Sequence, residues 1–379
     1  MAGSDKKVVW ILGAGFSRPL GGPLLNGLIS PQMIGDFTNW ADFQEEKTPE
    51  GYDKIGCAEA VHQIYSLGCA QKNATFWSNP EEFIERVDLA RRDTTNLWDF
   101  RIRKLYPAKS LAMRQLDPLT ALDPMRGLPS PDDLPLLFVN DMQLLHREAV
   151  RFVAGACSYF TRDPRDIRNS ELWMPYLNWA NKLCPQDSIL TFNYDNVLDL
   201  MNPFLTESTL RWAIPKNKAG ELRFEGLSRG ATVFQLHGHV GWQRDDEDGG
   251  VLRGAPMAFQ DPDKAVLGLP GPSKKELSEK HLDQIWNLAF SKLAMADAIV
   301  FVGYRFPESD GLARHRILKA LRENHQANVH IVLGPRNRDI ARVKAMIDWT
   351  RTEATSAEVE QMWAEDFFAA FDRDRLSEG

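Results

Sequence analysis

Four short segments, spread from residue 8 to residue 310, carry the residues best able to do chemistry. They are VVWILGAGFSRPLGGP at 8–23, SILTFNYDNVLD at 188–199, VFQLHGHVGW at 233–242 and AIVFVGYRFPESD at 298–310. Each has an apolar, β-branched or aromatic run followed at once by Gly, Asn, Asp or His. In the first, Gly13 permits a tight turn and Gly15 lets the backbone approach a phosphate, while amides at the next helix start offer donors and a positive dipole end. The turn Gly13, Ala14, Gly15, Phe16, Ser17 is the candidate phosphate cradle. Ser17 can cap the helix and Pro19 fits its first turn. Asn193 can orient a water or hold a ribose hydroxyl, and Asp195 can stabilise developing positive charge. His237 titrates near neutrality, which suits a general base or a ribose-hydroxyl partner. Gly303 and Tyr304 end a fourth apolar run, and Asn337, after a fifth, can touch a ribose or an adenine edge. Together the four segments can line a single nucleotide pocket.

Each residue also has a plainer structural reading. A GAG turn need not face a ligand, and Arg18 occupies the position of the third glycine in the GxGxxG dehydrogenase fingerprint. Asp195 can form an Asx turn that caps a helix over 196–201. His237 can be a satisfied structural histidine, as His239 is read to be. Asp310 suits a helix start as well as a site. None of the histidines or cysteines has metal-ligand spacing.

The elements needed to position these residues are strands of an open parallel sheet, where ligands bind at the carboxyl ends. Strands are expected at Val8–Leu12, 188–192, 210–214, 222–224, 232–236, 298–303 and 329–333. Helices are expected at 80–89, 136–160, 171–183, 275–295, 309–323 and from 338. About 175 residues separate the first two core strands, far beyond a βα loop of about 2–6. The fold is therefore α/β, a Rossmann-like parallel sheet with a large helical insertion. Residues 1–23 and 184–345 form the core, 24–183 the insertion and 346–379 a C-terminal helix, with the loop 128–135 as the insertion's mobile segment. The aromatics of 356–373 share one helical stripe, either docking on the core or making a subunit contact.

Composition narrows the function classes. The chain of 379 residues is 43% hydrophobic and 26% charged, with 45 Lys+Arg against 52 Asp+Glu. That acidic balance argues against direct nucleic-acid binding and against anionic membranes. MAGSDKK lacks the apolar stretch of a signal peptide, and no run reaches the roughly 18 apolar residues of a span. Cys57, Cys69, Cys157 and Cys184 show no CxxC spacing. A cytoplasmic protein with reduced thiols is expected.

In this order, GAG-x-S, Thr191-x-Asn193-x-Asp195, His237-Gly238 and the late strand end at Gly303 resemble the sirtuin superfamily. The resemblance covers the Rossmann core, about half of the chain. It implies binding of NAD and cleavage of its nicotinamide–ribose bond. It also implies that Gly13, Ala14, Gly15 and Ser17 hold the phosphates, and that Asn193 and His237 form the catalytic pair with Asp195 in support. The protein deacetylases of that family carry a four-cysteine zinc module after the HG motif, whereas no cysteine here follows Cys184. The stretch at 19–25 is instead similar to the PLGxPxW-type loop of bacterial sirtuin-like NADases of antiphage defence. This zinc-less branch implies an NAD+ glycohydrolase that depletes NAD in abortive infection, with no metal. It also implies a homo-oligomer, with a HerA-type ATPase as a candidate partner. The alternatives are a silent NAD- or ADP-ribose-binding module of a defence complex and a zinc-independent protein deacylase.

Overall fold

The computed structural model describes residues 6–24, 27–39, 54–69, 79–92, 134–160, 167, 170–254, 261–269, 282–335, 337–351 and 357–377. Eleven strands lie among them. They are β1 (Val8–Leu12), β2 (Ser188–Thr191), β3 (Arg211–Pro215), β4 (Leu222–Glu225), β5 (Thr232–Gln235), β6 (Gly238–Arg244), β7 (Val251–Arg253), β8 (Ala265–Leu267), β9 (Ala298–Val302), β10 (Asn328–Val332) and β11 (Glu358–Glu360). Eight form one sheet in the order β11-β10-β9-β1-β2-β5-β3-β4, and β7-β6-β8 form a second. All pairs in the large sheet are parallel except β3 with β4. The protein is thus α/β with a mostly parallel, Rossmann-like sheet flanked by helices.

β1 is central because VVWIL is apolar throughout, as a strand covered on both faces requires. From β1 the chain places β2, β3, β4 and then β5, which enters between β2 and β3, on one side, and β9, β10 and β11 on the other. The order therefore reverses between β1 and β9, the switch point at which open α/β sheets bind ligands. Register sharpens this. Leu12, Thr191, Gln235, Val302 and Val332 form one row across five strands. Two residues beyond the row stand Ala14, Asn193, His237, Tyr304 and Gly334.

Among the described residues two apolar cores form. The larger encloses the main sheet, where Trp10 meets Trp179 and Phe371 edge-on at 5.1 and 5.2 Å. The smaller joins helices α2 (Pro31–Thr38), α3 (Lys54–Cys69), α4 (Pro80–Arg92) and α5 (Leu134–Tyr159) to Val240, Leu267 and Leu269 of the small sheet. α4 starts where the sequence says it should: Asn79 Oδ1 accepts from Glu82 N at 2.9 Å, Pro80 follows, and acids open and arginines close the helix. Residues 128–133 of the expected mobile loop lie outside the described residues.

Two boundaries differ from expectation. Helix α6 (Met174–Asn181), expected within the insertion, buries Tyr176 and Trp179 in the main core. The stretch 356–373 is not one helix. Its Glu-Val-Glu alternation adds β11 as a parallel edge strand, and only Ala364–Ala369 is α-helical. Phe367, Phe368 and Phe371 are buried in the main core. Arg373 ties that tail down by donating to both oxygens of Asp187, which also accepts from Val8 N at 3.1 Å.

Candidate functional site

At the carboxyl edge of β5, β2, β1 and β9 lies a cavity of about 430 Å³, within the range of about 300–1,000 Å³ usual for ligand sites. Its wall brings together Gly13, Ala14, Gly15, Ser17, Asn193, Asp195, His237, Gly303 and Tyr304, nine of the residues singled out in the sequence. Phe16 does not join them. Its ring is 1% exposed among Tyr176, Trp179 and Phe368, because the short helix α1 (Ala14–Ser17) turns it inward. Asn337 begins a helix running to Asp348, and its side chain lies outside what the structure describes.

The GAG turn is built differently from a simple phosphate cradle. Gly13 N donates to Val302 O, Gly15 N to Gly303 O and Phe16 N to Gly13 O. These amides hold the turn against β9, so the donor it presents is Ala14 N–H, while the Ser17 hydroxyl donates to Asp195. Gly15 is needed for close backbone approach to Gly303 rather than to a ligand. A Cβ on Gly15 would lie 2.6 Å from Gly303 Cα, and one on Gly303, at φ +67°, 2.4 Å from Gly15 Cα. Helix α1 has no side-chain cap. Ser17 lies at its C-terminal end, followed by a single 3₁₀ turn, Arg18–Leu20, that holds Pro19.

Asn193 couples β2 to this turn: its Nδ2 donates to Gly13 O at 3.1 Å and lies 3.5 Å from Ser17 Oγ. Asp195 accepts from Val197 N at 3.2 Å, the Asx-turn alternative, and begins the helix Val197–Met201. Part of its surface remains exposed, yet it sits on the cavity wall where burial raises its carboxyl pKa. Hydrogen bonds from Ser17 and Val197 only partly oppose that rise.

His237 is 3% exposed. β5 ends two residues earlier, and Trp286 Nε1 donates to Leu236 O at 2.8 Å, which pins the turn. Gly238 follows at φ +76°, where a Cβ would meet Val266 O at 1.8 Å. That left-handed residue redirects the chain into the small sheet. His239 therefore faces elsewhere, with Nδ1 accepting from Gly241 N and Nε2 3.2 Å from Asp199, as a structural histidine. Asp199 is held below the usual carboxylate range: its burial acts upward, but His239 and Arg253 outweigh it.

The structure brings Asp310 to the site and adds residues the sequence did not single out. His237 Nε2 lies 3.5 Å from Asp310 Oδ1, and the Tyr304 hydroxyl donates to Asp310 Oδ2 at 3.5 Å. Asp310 had been as much a helix start as a site residue; only packing decides it. Phe192 stacks on Tyr304 at 4.5 Å and meets His237 edge-on at 5.0 Å. Tyr194, Arg305, Glu81 of α4 and Cys157 of α5 also line the wall. Burial pushes the Cys157 thiol well up, so it is protonated and not a nucleophile at neutral pH. The loop leading to Asp310 holds a non-glycine residue in the left-handed region, Phe306 at φ +52°. Such strain costs roughly 1–3 kcal/mol and concentrates at functional sites. Full burial of Phe306 and donation from Arg342 to Phe306 O and Arg305 O hold it.

Fold and cavity together define a Rossmann-like α/β protein with a cavity at its switch point. No protein-family model matches the chain, and no curated protein matches it significantly. Among the described residues no helix is long and apolar enough to cross a membrane, and no group of three or more His, Cys, Asp or Glu could hold a metal ion.

Proposed function

We propose that the protein is an NAD+ glycohydrolase, cleaving NAD+ with water to nicotinamide and ADP-ribose. The observation that carries this reading is the convergence of Asn193 and His237, from two strand ends, on one cavity beside the GAG turn. NAD+ lies across the strand ends with its pyrophosphate toward Ala14 N–H. Because Asn193 Nδ2 donates to Gly13 O and faces Ser17 Oγ, its Oδ1 is the atom that accepts from a ribose hydroxyl or the attacking water. His237 takes the proton that water loses as its oxygen bonds to the ribose carbon. The glycosidic electron pair leaves with nicotinamide, neutralising the pyridinium. Positive charge developing on the ribose faces the carboxylates of Asp195 and Asp310, whose attraction grows as that charge grows.

The biological setting is part of the same proposal: depletion of NAD in antiphage defence, with a homo-oligomer and a HerA-type ATPase as candidate partners. Product analysis tests the chemistry. Purified protein is incubated with NAD+, with and without an acylated peptide, and nicotinamide and ADP-ribose are quantified. Equal release of both without peptide supports hydrolysis. Release only with peptide means deacylation, and no release means a binding module.

A further inference from the structure

We propose that Glu81, on the inserted helices, positions His237 by way of Ser309 and Asp310, which makes the insertion part of the working geometry of the site. Glu81 lies in the first turn of α4, fixed by the Asn79 cap and Pro80. Its Oε2 accepts from Ser309 Oγ, a bond between residues 228 apart in sequence. Ser309 is the middle residue of the 3₁₀ turn Glu308–Asp310, and its chain neighbour Asp310 is the carboxylate 3.5 Å from His237 Nε2. The turn is held from inside by Asp310 N donating to Pro307 O and by the Tyr304 hydroxyl. It is entered through two left-handed residues, Gly303 and Phe306. A strained turn persists only where its surroundings over-determine it, and Glu81 is a contact that reaches it from the inserted helices. Displacing α4 removes that contact and lets Asp310 retreat from the imidazole.

Among the described residues, groups facing His237 include Asp310 and Tyr194, with Phe192 and Trp286 uncharged; Tyr304, Glu81 and Arg314 act around Asp310. Burial, then the charges of Glu81 and Asp310, holds the Tyr194 hydroxyl well above its usual range, so it stays neutral.

The test follows the His237 imidazole titration by NMR in the full chain labelled with ¹⁵N-histidine, alongside kcat and KM for NAD+. Asp310→Asn is expected to lower the His237 midpoint by about 1 unit, since a carboxylate at this range favours the imidazolium. Ser309→Ala, which alters no charge at an exposed position, shifts it the same way and lowers kcat about tenfold with KM nearly constant. Glu81→Gln does the same. In an Asp310→Asn background neither substitution adds a further shift. An unmoved His237 titration in Ser309→Ala overturns the proposal. So does a Glu81→Gln shift that persists without the Asp310 carboxylate, because Glu81 would then act directly through its charge. The inference rests on the hydrolase reading only for its kinetic arm: intact NMR coupling in a protein that does not cleave NAD+ overturns that reading and leaves this one standing.

Discussion

Asn193 Nδ2 donates to Gly13 O at 3.1 Å, joining the ends of two adjacent central strands across 180 residues of sequence. The side chain proposed to meet the ribose or water is therefore also a brace for the GAG turn. Asn193→Ala is expected to lose turnover and about 1 kcal/mol of stability. The cost stays modest because Gly13 O keeps its bond from Phe16 N. Thermal melts read beside activity check this. An unchanged melting temperature would show that the brace contributes nothing.

Gly303→Ala addresses the switch point itself. The left-handed φ costs roughly 1–2 kcal/mol for any L side chain, and the added carbon must also displace the Gly15 backbone at 2.4 Å. The expected result is a loss of more than about 2 kcal/mol in denaturant melts, with weakened ligand binding. Wild-type stability in this variant would contradict the close packing of the two turns.

Asp195 yields a prediction in pH. Its pKa is raised by burial, so the folded state retains the proton longer than the unfolded chain. Stability contributed by the protonated form is present below the unfolded value, near 3.8, and is lost as pH rises through the folded value. Asp195→Asn keeps an oxygen to accept from Val197 N and removes this dependence. Its stability relative to wild type should therefore increase from pH 4 upward and then level off. A relative stability that falls over the same range would reverse the sign.

The row of strand ends was legible in the sequence because each strand stops at a change from apolar to polar residues that leaves a visible mark. VVWIL-Gly13, SILT-Phe192-Asn193 and TVFQ-Leu236-His237 need no tertiary information to be read as parallel strands ending at a site. Phe16 was misplaced because a one-turn helix decides which way it points, and sequence does not show where so short a helix stops. Asp310 and Glu81 carry no local signal: each looks like an acid in a helix's first turn, and only packing between distant segments brings them to His237. In the tail, aromatics spaced at a helical period concealed the Glu-Val-Glu alternation that forms an edge strand.

That tail gives a further expectation. Phe368 stacks on Trp179 at 4.6 Å and touches Phe16 and Tyr176. Phe368→Ala should cost about 3–5 kcal/mol, as for other buried aromatic truncations. Light scattering on the folded fraction should show the oligomeric state of the wild type. A dissociated but equally stable protein would mean that the stripe is a subunit contact.

The most direct measurement compares nicotinamide release from NAD+ by wild type and His237→Ala at matched folded concentration. Wild type is expected to release nicotinamide and ADP-ribose one for one. The variant, still folded and still binding NAD+, should be slower by roughly 10²–10⁴-fold, the usual contribution of a general acid or base. Equal rates in the two proteins, or no release by wild type with or without its partners, would contradict the account.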